Sequence, residues 1–71
     1  MIKTQFIPYS SSYDYRISHD AYISYFYGDE FIKTVLYEDT PETIRRVNKA
    51  DGIILSFNKN NKNGIKLTKT N

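Results

Sequence analysis

Apolar and polar side chains alternate along residues 13–27. The odd positions read Tyr13, Tyr15, Ile17, His19, Ala21, Ile23, Tyr25 and Tyr27, and the early even positions read Asp14, Arg16, Ser18 and Asp20. A period of two marks a strand with one face on a core. Parity holds across His19-Asp20, so the pattern predicts one long, bent strand with a bulge near residues 18–20. Gly28-Asp29 follows, with glycine at the first central position that a type II′ hairpin turn requires. Residues 30–37 are rich in β-branched and aromatic types and read as the return strand. A two-residue turn places Tyr25 opposite Ile32, Ile23 opposite Thr34 and Ala21 opposite Leu36. The odd row of the first strand then joins the even row of the second as one apolar surface.

Further along, the pattern changes period. Ile44, Val47 and Ala50 recur every three residues, with Arg45, Arg46, Asn48 and Lys49 between them. Thr40 is a candidate cap, Pro41 suits a first helical position, and Glu38, Asp39 and Glu42 lie where a helix dipole is positive. Gly52 is a candidate helix terminator. These signals predict one short helix over about residues 40–50, packed by its stripe on the sheet. Ile53-Ile54-Leu55-Ser56-Phe57 is the most apolar run and reads as a central strand. Residues 64–70 alternate as an edge strand, with Leu55 expected opposite Leu67 and Phe57 opposite Ile65 around an Asn-rich loop. Ile2–Ile7 reads as a further strand closed by Pro8. The expected order is β-β-β-α-β-β, a single α+β domain over residues 1–71 with a small antiparallel sheet of about five strands.

Composition narrows the chemistry. The chain has no cysteine, which excludes disulfides, thiolate metal sites and thiol catalysis, and its one histidine, His19, excludes a multi-histidine centre. Neither a metal nor an organic cofactor is expected. The start lacks the apolar core of a signal peptide, and no run approaches the ~18 apolar residues of a membrane span, so a soluble, cytoplasmic protein without a membrane partner is the expectation. Ile, Asn, Lys, Tyr, Phe and Met make up 34 of 71 residues. Their codons are rich in A and T, so abundant tyrosine and lysine alone do not indicate selection for a site. A domain this small buries only ~60% of its unfolded surface, and self-association is a natural support for it.

Four kinds of chemistry are open to these residues. Ser10, Ser11 and Ser12 with His19 and Asp20 hold the residue types of a nucleophilic triad. The serines, however, lie in a plain loop, and His19 and Asp20 as strand neighbours point to opposite faces. Paired acids at Asp29-Glu30 and Glu38-Asp39 are explained by a turn and a helix start. The protein is therefore expected not to be an enzyme. Nucleic-acid binding would combine stacking platforms at Tyr13, Tyr15, Tyr22, Tyr25 and Tyr27 with Arg45, Arg46, Lys59, Lys62, Lys66 and Lys69. Residues 58–71 carry four lysines and no acid, against six basic and eight acidic side chains in residues 1–57. The fourth kind is protein binding. Tyr22, Phe26, Phe31 and Val35, with Lys33 in their midst, would form a second apolar patch on the hairpin face opposite the odd row. This patch makes a non-enzymatic interaction protein the leading expectation, with another protein or a second copy as partner and nucleic-acid binding as the alternative. Small size and composition suit a phage or mobile-element accessory protein that binds and inhibits a larger host protein.

Overall fold

The computed structural model describes residues 1–38, 42–61 and 64–70, the side chains of Glu42 and Asn61 excepted. Eight strands run in chain order: β1 (Ile2–Lys3), β2 (Ile7–Pro8), β3 (Asp14–Ile17), β4 (Ala21–Tyr27), β5 (Glu30–Tyr37), β6 (Glu42–Ile44), β7 (Gly52–Phe57) and β8 (Leu67–Thr70). They form two antiparallel sheets. The first has the order β1-β7-β4-β5, with β2 beside β1 on the same edge of β7. The second has the order β6-β3-β8.

The alternating row is buried as its parity implies, but its two halves belong to different sheets. Tyr15 and Ile17 of β3 and Ala21, Ile23 and Tyr25 of β4 all enter one core. Between them Ser18-His19-Asp20 is irregular, and the chain crosses from the second sheet to the first. What reads as one bent strand is a corner joining two layers, which preserves parity because both strands face the same interior. Tyr9 links the layers. Its ring stacks on Tyr15 at 4.9 Å and meets the edge of Tyr25 at 5.6 Å. Ile44 from β6, Ile53, Leu55 and Phe57 from β7, and Tyr37 from β5 complete the core.

The α+β expectation is overturned: the only helical turn among the described residues is a single 3-10 turn at Lys59–Asn61. Glu42–Ile44 is a strand, paired with β3 so that Ile44 lies opposite Tyr15. The proposed cap and first helical residue, Thr40 and Pro41, lie outside the described residues. The i, i+3 stripe was correctly read as core-facing, since Ile44 and Ala50 are buried and Val47 packs against them. Its backbone takes another course because tertiary partners satisfy it. The N–H of Arg45 donates to the Tyr37 hydroxyl at 3.1 Å, and that of Val47 to the Tyr9 hydroxyl at 3.0 Å. Thr43, Ile44 and Val47 are β-branched, which favours extended chain, and a helix of about ten residues gains too little on its own to compete.

Two register expectations also change. The Gly28-Asp29 turn is tight, with φ of +58° at Gly28 and none positive at Asp29, the φ signature of a type II′ turn. Tyr27 faces Glu30 and Phe26 faces Phe31, but Tyr25 then faces Lys33. Ile32 is an extra residue, a bulge that reverses the faces of everything beyond it. Ile23 thus lies opposite Val35 and Ala21 opposite Tyr37, so Val35 and Tyr37 turn to the core side while Thr34 and Leu36 turn outward. The last strand does not pair with β7. Leu67 lies opposite Ile17, not Leu55, and β8 completes the second sheet. The N-terminal strand is split. Thr4 N–H still donates to Leu55 O at 2.9 Å, and Leu55 N–H to Thr4 Oγ1 at 3.0 Å, before the chain rejoins the edge at Ile7.

Candidate functional site

Each sheet has an inner face on the common core and an outer face, and the two outer faces differ in chemistry. On the second sheet, Arg16 lies opposite Thr43 and Thr68, and Asp14 opposite Thr70. All five are polar, as expected of a solvated face. On the first sheet, Tyr22 lies between Leu36 and Ser56, Ser24 between Thr34 and Ile54, and Phe26 between Phe31 and Gly52. This face carries large apolar groups at both ends and a hydroxyl pair at its middle, Ser24 Oγ and Thr34 Oγ1 at 2.9 Å.

The aromatic end is built by three separate segments. Phe26 sits between Phe6 and Phe31, with ring centroids 5.2 and 5.7 Å away and tilted or edge-on geometry. Such arrangements are favourable for aromatic quadrupoles. Phe6 reaches Phe26 because Gly52 offers no side chain: a Cβ there would run into the Phe6 ring. Gly52 is thus a cradle within β7, not the helix terminator its context suggested. The turn is tied to the same corner, since Asp51 Oδ1 accepts the Gly28 N–H at 2.9 Å and Asp51 N–H donates to Phe26 O at 2.9 Å. Despite these mutual contacts the face remains open. Phe6 is 51% exposed, Phe31 56%, Leu36 43% and Tyr22 37%.

The sequence-derived patch is therefore divided by the bulge. Tyr22, Phe26 and Phe31 share the outer face, while Val35 and Lys33 belong to the other side of β5. Val35 packs against the core, and Lys33 lines a cleft with Val35, Leu36, Tyr37, Arg45, Arg46 and Val47. Leu36 holds the place assigned to Val35. Phe6 was missed, although a glycine opening the most apolar strand is a signal that another group approaches it closely.

The cations proposed for nucleic-acid contact are variously engaged. Arg46 Nε donates to Asp14 Oδ1 at 2.9 Å. Lys69 Nζ lies 4.5 Å from the centre of the Tyr13 ring. The Lys66 backbone N–H donates to Ser18 Oγ at 2.7 Å. Arg45 lines the β5 cleft, Lys59 lies in the 3-10 turn, and Lys62 lies outside the described residues. Of the tyrosines considered as stacking platforms, Tyr15 and Tyr25 are core and Tyr13 is half-buried, while Tyr22 and Tyr27 are exposed. Among the residues of the triad idea, His19 Nδ1 shares a 2.8 Å hydrogen bond with its neighbour Ser18 Oγ, and Ser12 N–H donates to Ser10 Oγ at 3.2 Å within their own loop.

The buried tyrosines form the main polar network of the interior. Tyr25 and Tyr37 hydroxyls lie 3.3 Å apart, and Tyr15 OH accepts the Ser10 N–H at 3.0 Å. Burial pushes the Tyr25 phenol well above its ordinary range, with its hydrogen bond to Tyr37 adding to the shift. Burial also raises Tyr9, partly offset by the Val47 N–H that its hydroxyl accepts. These hydroxyls fasten the loop segments to the sheets. Among the described residues no helix is long and apolar enough to cross a membrane. The chain matches no protein-family model, no curated protein and no solved structure.

Proposed function

We propose that this chain is a protein-binding domain whose outer face on the first sheet, bearing Phe6, Tyr22, Phe26, Phe31 and Leu36, docks on a larger protein and modulates it by occlusion. One observation carries the reading: two sheets share a core, yet one outer face is wholly polar in its paired positions and the other sets Tyr22, Leu36, Phe26 and Phe31 around a central hydroxyl pair. Leaving large apolar groups in water forgoes roughly 1.5–3 kcal/mol each, a sizeable fraction of a small domain's stability. A face kept open at that cost, with rigid aromatic anchors presented on strands, has the make-up of an interface centre. An accessory protein of a phage or mobile element acting on a host enzyme or regulator fits this form, in which the chain contributes shape and anchors and no chemistry.

Site-specific photo-crosslinking tests it. A benzophenone side chain at Phe31 is expected to give one dominant adduct in source cells. The same group at Thr68, on the polar outer face, is expected to give none. Tyr22→Glu should abolish the Phe31 adduct. Equal labelling from both positions, or an adduct at Phe31 that persists in Tyr22→Glu, would remove the reading. An adduct at twice the chain's own mass would show that the partner is a second copy.

A further inference from the structure

A second surface lies on the side of β5 away from β4. β5 is the terminal strand of its sheet, eight residues long, and among the described residues it pairs with β4 alone. Alternate N–H and C=O groups along it therefore face outward with no ladder partner. Beside this edge runs the irregular segment after β6, held by the bond from Arg45 N–H to Tyr37 OH. Between the two is a cleft of about 500 Å³ lined by Lys33, Val35, Leu36, Tyr37, Arg45, Arg46 and Val47. Its lining combines apolar residues with three cations and no acid. Asp14 neutralises Arg46, but among the described residues neither Lys33 nor Arg45 has an ion-pair partner. Acids stand only at the ends of the strand, as Glu30 and Glu38.

From this combination we infer that the β5 edge and its cleft bind an extended acidic peptide segment of a partner protein, which adds to the sheet as a further antiparallel or parallel strand. The backbone ladder supplies sequence-independent affinity, and alternate side chains supply selectivity. An acidic residue of the peptide meets Lys33 and Arg45, and an apolar residue two positions along, on the same face, meets Val35 and Val47. Glu30 and Glu38 confine the acidic stretch to the middle of the strand. A second copy of β5 is disfavoured as occupant because its own residues 31–36 carry no acid to meet Lys33 and Arg45. This surface shares only Leu36 with the aromatic face and does not depend on that face having a partner.

The test uses the full chain, ¹⁵N-labelled, titrated with an acetylated heptapeptide, Glu-Thr-Val-Thr-Glu-Thr-Val, which sets glutamate and valine in turn on one face. Saturable amide shifts are expected along Glu30–Tyr37 and Arg45–Val47, weakening as salt is raised. The combined variant Lys33→Glu, Arg45→Glu should weaken binding about ten-fold while its spectrum stays folded. N-methylating alternate peptide nitrogens should abolish binding in one of the two possible phases and spare it in the other, because only one set of N–H groups faces the ladder. Four outcomes would each overturn the inference. These are the absence of saturable shifts, equal binding of the lysine–valine counterpart, shifts confined to the Phe6, Phe26 and Phe31 face, or equal displacement of the same amides by a deoxythymidine decamer.

Discussion

At the scale of single residues, tyrosine does much of the work that a helix was expected to do. Tyr9 and Tyr37 accept backbone N–H groups of the segment after β6, and Tyr25 bonds Tyr37 across the core. A phenol whose pKa is raised on folding stabilises the native state fully below its unfolded pKa, and that contribution is lost as pH rises above it. For Tyr9 and Tyr25 the shift is upward from an ordinary value of 10.0. The melting temperature is therefore expected to fall once pH exceeds about 10. Phenolate absorbance should show the Tyr9 and Tyr25 phenolates appearing late, that of Tyr25 together with unfolding. In Tyr25→Phe one of those late phenolates should vanish and the alkaline decline should become shallower. Seven phenolates titrating together below the unfolding transition would contradict this. None of this was visible from tyrosine counts, since nucleotide bias alone explains abundance. The informative feature was position, odd parity at 15 and 25.

At the scale of elements, the β4–β5 hairpin shows how one residue redirects a surface. Turn chemistry fixed the pairing of Phe26 with Phe31, and the bulge at Ile32 then moved Val35 and Tyr37 inward and Leu36 outward. A bulge has no reliable signature in a run such as Phe31-Ile32-Lys33-Thr34, because all of these residue types suit a strand. Deleting Ile32 removes the extra residue and leaves every other side chain on its present face. The deletion variant is expected to fold, with a melting temperature within several degrees of the parent. Deleting Leu36 would turn either Val35 or Tyr37 out of the core whether or not the bulge is lost, and should unfold the chain or cost several kcal/mol. Equal tolerance of the two deletions, measured by thermal melting, would show that the register is not set as described. The segment over residues 42–50 teaches the complementary lesson. Its buried positions were legible from spacing, but three points at i, i+3 and i+6 fit both a helical stripe and an irregular chain lying on a core.

At the scale of the whole molecule, the two layers sort every strand residue into core, polar face or aromatic face. That sorting separates substitutions that the sequence pattern placed together. Val35→Glu puts a charge against the core and is expected to destabilise by about 2–4 kcal/mol. Tyr22→Glu and Leu36→Glu, on the open face, should change the melting temperature little or raise it. If Tyr22→Glu unfolds the chain while Val35→Glu is tolerated, the face assignment is inverted and the proposed docking surface falls with it. Of the candidate interface residues, Tyr22, Phe26 and Phe31 were legible from parity on two strands joined by a recognisable turn. Leu36 was hidden by the bulge, and Phe6 by the break between β1 and β2, because both depend on contacts between residues distant in the chain.

Local rules were enough to specify the strands of the hairpin, the turn at Gly28-Asp29, the central apolar strand and the identity of most core residues. Each of these rests on neighbours within a few positions, where period-two alternation and glycine conformation act directly. Which sheet a strand joins is a different kind of question. Parity is conserved through the corner at Ser18-His19-Asp20, so one-dimensional periodicity could not distinguish a bent strand from two layers enclosing one core. The partner of β8, the extended course of residues 42–44 and the bulge at Ile32 were settled by competition for the same interior and the same ladder. Ile17 outbid Leu55 for Leu67, and tyrosine hydroxyls replaced the hydrogen bonds of a helix. The outward aromatic face is the product of that competition: it is what remained uncovered after both layers had closed over the core.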